Sequence, residues 1–99
     1  MTLSSGERQV YRIYALVDPL TGEPHYVGQT AATLADRRRD HVRKPGSTKK
    51  GAWIRELLAE YREPQIVLIE EFTGCRREAY ERESFWIRQL QSEGRPILN

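Results

Sequence analysis

Residues Val10–Val17 (VYRIYALV) are dominated by β-branched and aromatic side chains, the composition of a strand. Asp18–Pro19–Leu20–Thr21–Gly22 follows as turn chemistry, because Pro presets φ and Gly admits φ > 0. His25–Gly28 (HYVG) then predicts a second strand and closes a hairpin. If that hairpin centres near Leu20, Tyr14 and Tyr26 lie opposite each other on one face of the sheet.

The pattern next shifts to a helical period. Thr33 with Asp36 three residues on is a T-x-x-D capping box, opening a helix that runs to about Lys44, before Pro45. At about 100° per residue, Leu34, Arg37, Arg38, His41 and Val42 share one side of it. Residues 51–62 predict a second helix, with Trp53, Ile54, Leu57, Leu58 and Tyr61 as its buried stripe and Pro64 closing it. Ile66–Ile69 (IVLI) is a short apolar run after a proline, which reads as a central strand. Thr73 is the candidate cap of a last helix reaching about Gln91, with Gly94 as its stop and residues 95–99 as a tail. The order β-β-α-α-β-α describes an α+β domain with a small, mostly antiparallel sheet. Residues 1–9 read as an N-terminal tail and 10–99 as a single domain.

Composition narrows this picture. At 99 residues the chain has material for one core. No apolar run approaches the ~20 residues of a membrane span, and Met1–Gly6 does not read as a signal peptide. A lone cysteine, Cys75, excludes an internal disulfide and any all-cysteine zinc site, so the expected setting is cytoplasmic and reducing. The mean hydropathy of −0.70 is low, but two Trp and five Tyr argue against disorder. The net charge of +2 says less than its distribution. Residues 31–50 carry seven basic side chains against two acidic ones, whereas 56–83 carry eight Glu against four Arg. The first segment is suited to an anionic partner, foremost nucleic acid, although a solvated helix face would have the same composition.

Glu83 is the most informative single position. On a helical wheel it falls among Ala79, Trp86, Ile87 and Leu90, in the middle of the face that packs inward. An unpaired buried carboxylate costs several kcal/mol, so this one needs either a neighbouring Arg or a metal ion. Glu78 and Glu81 point elsewhere and read as surface. Arg37 and His41, at i and i+4, form a donor-rich wall suited to a phosphate; taken singly, each is as readily a surface or packing residue. Tyr14 and Tyr26, taken singly, are ordinary strand aromatics.

In order along the chain these residues form a pattern. Arg12–Ile13–Tyr14, Tyr26–Val27–Gly28–Gln29–Thr30, Leu34-x-x-Arg37-x-x-x-His41, Ala79-x-x-x-Glu83-x-x-Trp86–Ile87 and Ile97–Leu98–Asn99 together resemble the signature of the GIY-YIG nucleases. The resemblance covers nearly the whole chain from Val10. Arg12 departs from it, standing where the first motif usually has its glycine, and Val27 replaces Ile in the second. The resemblance implies a three-stranded antiparallel sheet flanked by helices and a metal-dependent DNA endonuclease that hydrolyses phosphodiesters with one metal ion.

By that resemblance Glu83 is the single protein ligand of Mg²⁺, for which Mn²⁺ could substitute, and such a sparse ligand set suits a cation that keeps several waters. Arg37 corresponds to the catalytic arginine and Tyr14 to a proposed general base, with His41 or a water on the metal as the competing base. A free tyrosine, with pKa near ~10, needs help in that role, and Arg37 and the metal would push it the right way. Tyr26 would hold the attacking water or orient Tyr14, and Asn99 would hold the site together through its amide. Gly28 would allow close approach of backbone or phosphate. Arg38, Arg39, Arg43, Lys44, Lys49 and Lys50 would track the DNA backbone, giving affinity without sequence reading. The expected activity is therefore of low sequence specificity, whether nonspecific, single-strand-preferring or structure-selective, on single- or double-stranded DNA, with the oligomeric state open and a monomer favoured. A non-catalytic nucleic-acid-binding module of the same fold, or a small RNA-binding protein, is the alternative.

Overall fold

The computed structural model describes residues 8–99. Of the expected N-terminal tail, residues 1–7 and with them the Met1–Gly6 segment lie outside the described residues, and Gln9 already belongs to the first strand. The elements are β1 (Gln9–Val17), β2 (Pro24–Thr30), α1 (Leu34–Arg43), α2 (Lys49–Ala59), β3 (Gln65–Gly74) and α3 (Arg76–Ser92), in the expected β-β-α-α-β-α order. They build a three-stranded antiparallel sheet in the order β2-β1-β3, flanked by helices.

β1 is the central strand, and its two faces set the two layers. On one face Tyr14 and Leu16 pack with Trp53, Ile54 and Leu57 of α2, surrounded by Tyr26, Leu34, Ile66 and Leu98. On the other, Ile13 and Ala15 are buried together with Val27 and with Ala79 of α3. Side chains as deeply buried as Ile13, Leu16 and Ile54 each contribute about 1.5–3 kcal/mol. Glu70, opposite Ile13, ties α3 to that face: it accepts from Trp86 Nε1 at 3.0 Å and from Arg82 Nη1 at 2.6 Å. Among the described residues no helix is long and apolar enough to cross a membrane.

Four expectations need correction. The hairpin register sets Tyr14 opposite Gly28 and Leu16 opposite Tyr26, so the two tyrosines are diagonal neighbours. The loop is longer than a turn centred on Leu20, because Asp18 Oδ1 accepts from the backbone N–H of Leu20 and of Thr21, and Asp18 N–H bonds Glu23 O. The two-residue shift keeps both tyrosines on the same face.

The IVLI run is part of a ten-residue edge strand, with Val67 and Leu68 nearly half exposed. An apolar run records burial only when both sides are covered, and here β1, despite carrying Arg12, holds the centre because both other strands pair with it. A bulge leaves Ile69 unpaired between the Ile13–Glu70 and Tyr14–Leu68 pairs, next to the site described below.

Tyr61 is not in the buried stripe of α2 but fully exposed. The helix ends at Ala59, and Tyr61 takes a left-handed conformation (φ 60°) while its N–H bonds Leu58 O and that of Arg62 bonds Leu57 O. That is a Schellman termination with tyrosine where glycine is usual.

Thr73 lies within β3, and Cys75 caps α3 instead. Glu78, expected to be plain surface, reaches back to accept from Cys75 N–H at 3.0 Å. Glu at the third helical position makes Cys75, not Thr73, the residue with a partner three places on.

Candidate active site

Tyr14 rises from the middle of β1 with its ring fully buried. It lies across Gly28: a Cβ at position 28 would stand 2.5 Å from Tyr14 Cζ and 3.0 Å from Cε2. The space above Gly28 is therefore filled by a side chain of this protein, and glycine is required there for that reason.

Thr33 caps α1 by accepting from Asp36 N–H, which sets the phase of the helix. One turn apart on it, Arg37 and His41 meet the Tyr14 oxygen. Arg37 Nε donates to Tyr14 Oη at 3.0 Å, and His41 Nε2 stands 2.7 Å from the same atom. His41 is only 3% exposed, set edge-on between the rings of Tyr14 and Tyr26. Its other nitrogen, Nδ1, is 3.1 Å from Lys50 Nζ at the start of α2. Lys50 also lies over the Tyr26 ring, 5.3 Å from its centroid.

Burial dominates the electrostatics. The Tyr14 hydroxyl is pushed up to about 12 by burial, even though Arg37 bonds it and draws it down. Arg37 pulls in the expected direction, and desolvation outweighs it. Tyr26 is raised by burial and by the charge of Glu83. His41 is lowered to about 4 by burial, then by Lys50 and Arg37, so it is neutral at neutral pH. Lys50 is itself lowered, by burial and by Arg37.

Glu83 is half-buried on the inward side of α3, one turn beyond the buried Ala79. Among the described residues no Lys or Arg forms an ion pair with it. Its carboxyl is raised by burial, which the Gln29 backbone N–H and the charge of Arg37 oppose. The sequence left an arginine partner or a metal ion open, and the arginine pairing is not formed. No three His, Cys, Asp or Glu side chains cluster as a ready-made metal site among the described residues. A dication here would have Glu83 as its one protein carboxylate, which fits an ion such as Mg²⁺ that retains most of its waters.

Asn99 clamps β2 from the C-terminal segment. Its Oδ1 accepts from Val27 N–H at 2.9 Å and its Nδ2 donates to Val27 O at 2.7 Å, so it pairs with Val27 as a strand residue would. Leu98 N–H adds a bond to His25 O.

The expected phosphate-tracking cations are divided. A cleft beside His41 is lined by Arg37, Asp40, Arg43, Lys44 and Lys50. Arg38 instead donates to Pro64 O and pairs with Glu63, and Arg39 pairs with Asp36. Lys49 lies away from the cleft, beside His25, Trp53 and Leu98. Two contributors were not read from the sequence: Asp40 in the cleft wall and the Lys50–His41 contact. The first could have been found from its place between Arg37 and Arg43 on α1. The second joins residues nine positions apart across the loop 44–48 and has no periodic signal.

The sequence pattern of the GIY-YIG catalytic domain matches residues 8–96. Comparison with curated proteins and with solved structures gives no significant match.

Proposed function

The chain belongs to the GIY-YIG family, and from that membership and the site geometry we propose that it is a metal-dependent DNA endonuclease of low sequence specificity. The observation that carries this reading is a half-buried carboxylate, Glu83, without an ion-pair partner among the described residues and near enough for its charge to act on a Tyr14 oxygen held between Arg37 and His41.

Glu83 would hold Mg²⁺, or Mn²⁺ in its place. When bound, the dication supplies Lewis-acid polarisation of the phosphate and stabilises the leaving oxygen. Arg37 spends only Nε on Tyr14, which leaves the outer edge of its fork for a phosphate oxygen, where charge grows in the transition state. As a phenolate, its own proton first released to solvent in a step that burial opposes and that the Arg37 and His41 donors and a bound dication would favour, Tyr14 would take a proton from the attacking water, with Tyr26 alongside positioning that water, and His41 and Arg37 keep the Tyr14 oxygen in one place. Asn99 acts at a distance by fixing the strand that carries Tyr26 and Gly28.

The cleft beside the site supports a role in holding the nucleic-acid backbone, since Arg43 and Lys44 suit phosphates rather than base edges.

The test is strand nicking of plasmid and single-stranded DNA with Mg²⁺ or with EDTA, comparing the native chain with Glu83→Gln. Nicking that needs the metal and is lost in the variant is expected. Cleavage indifferent to EDTA and to the substitution would reject the site, and binding without turnover would make the chain a non-catalytic module.

A further inference from the structure

Lys50 lies in the cleft among cations suited to phosphate, yet its nearest polar neighbour is a buried imidazole. Nζ stands 3.1 Å from His41 Nδ1 while the aliphatic stem is held against the Tyr26 ring. An ammonium has three donors and no acceptor, so Nδ1 must present its lone pair. A neutral imidazole with a lone pair on Nδ1 carries its proton on Nε2. That N–H faces Tyr14 Oη at 2.7 Å. Arg37 Nε, a donor at any accessible pH, faces the same oxygen at 3.0 Å.

Two N–H donors thus converge on one phenolic oxygen. Both acceptor positions of Tyr14 are filled, and its own O–H is left to point at a third group. With the proton of His41 on Nδ1 the arrangement would reverse: Nε2 would accept from Tyr14, and the phenolic proton would be directed into the protein. Two converging donors also favour the ionised phenol over the neutral one, opposing the burial that disfavours it.

We propose that Lys50 is a positioning residue that holds His41 in the Nε2–H tautomer, so that the Tyr14 oxygen accepts from both His41 and Arg37 and its own proton is directed away from both of them. The consequence for turnover rests on the nuclease reading above; the tautomer itself does not.

The experiment is a long-range ¹H–¹⁵N correlation of the imidazole rings in the intact chain at pH 7, without metal or DNA. His25 is the only other histidine, so a His25→Gln variant assigns the signals. The native protein is expected to show a protonated Nε2 and an unprotonated Nδ1 at His41. Lys50→Met should move the ring to the Nδ1–H form or to a mixture, and Lys50→Arg should restore Nε2–H. In nicking assays Lys50→Met should lower kcat about 10- to 100-fold with little change in KM, and Lys50→Arg should recover most of it. An Nδ1–H ring in the native protein overturns the proposal. So does a tautomer unchanged in Lys50→Met, or a loss confined to KM and its salt dependence, which is the behaviour of a simple phosphate contact. The spectrum needs no turnover, so an inactive native chain with the expected tautomer would reject the nuclease reading and leave this assignment standing.

Discussion

The phenol of Tyr14 occupies the volume that a side chain at position 28 would need, with Cζ 2.5 Å from where a Cβ would stand. β1 and β2 are paired at these two residues, so neither backbone can yield without breaking the register. Gly28→Ala must displace the ring instead, and the ring carries the bonds to Arg37 and His41. The expected result is a loss of about 1–3 kcal/mol in stability from overpacking, with nicking reduced at least ~100-fold. Thermal unfolding and the nicking rate measured on one preparation check this. Unchanged activity in the folded variant would mean that the position of Tyr14 is not critical.

That relationship also marks where sequence reading stops. The hairpin, the helix phases and the inward face of α3 are periodic features, so Leu34, Arg37 and His41 could be set on one side of α1 and Glu83 beside Ala79 before any coordinates. The Tyr14–Gly28 pairing depends on a loop whose length is set by Asp18 accepting two backbone bonds, a choice that composition does not reveal. β3 misleads for another reason: its apolar start has the composition of a central strand, but edge or centre is decided by which strands find partners. Lys50 and His41 meet through the path of the chain from 44 to 48, where no period exists to be read.

Glu83 separates stability from function. Its carboxyl is raised by burial and lacks an ion-pair partner among the described residues, so the charged form opposes folding. Glu83→Gln removes that charge and keeps an acceptor for the Gln29 N–H. The variant is expected to be as stable as the native chain or up to about 1 kcal/mol more so, allowing for solvent screening of a half-exposed group. Mg²⁺ should raise the melting temperature of the native chain, EDTA should reverse that, and the variant should respond to neither. A metal-dependent shift persisting in Glu83→Gln would place the dication elsewhere.

Tyr61 offers a change remote from the chemistry. It is fully exposed, so its ring contributes no packing, and its left-handed backbone is unfavourable for any side chain with a Cβ. Tyr61→Gly keeps both closing bonds of the α2 terminus, from its own N–H to Leu58 O and from Arg62 N–H to Leu57 O. The relief of strain exceeds the added freedom of glycine in the unfolded chain, giving a net gain of about 0.5–1 kcal/mol in urea unfolding. Nicking should be unchanged. A loss of stability would show that the aromatic ring has a partner in solution.

His41 makes stability depend on pH in a defined window. Its folded pKa is about 4 against 6.5 for the free side chain, lowered by burial, by the Lys50 ammonium against its Nδ1 and by Arg37, which meets the same Tyr14 oxygen. Between those two values the unfolded chain binds a proton at this residue and the folded chain does not, so stability falls as pH drops from about 6.5 towards 4. The magnitude is on the order of 2 kcal/mol once solvent relaxation is allowed for. Glu83, raised by burial, has the opposite sign, because a folded carboxyl that holds its proton more tightly gains stability as pH falls. The native chain alone would therefore show a partly cancelled slope. Subtracting the profile of His41→Gln, which retains Glu83, isolates the histidine: the native chain should lose about 2 kcal/mol more than the variant between pH 7 and pH 4 in urea titrations. Equal slopes would mean that His41 takes up its proton alike in the folded and unfolded chains, so that neither burial nor the Lys50 and Arg37 cations depress its pKa.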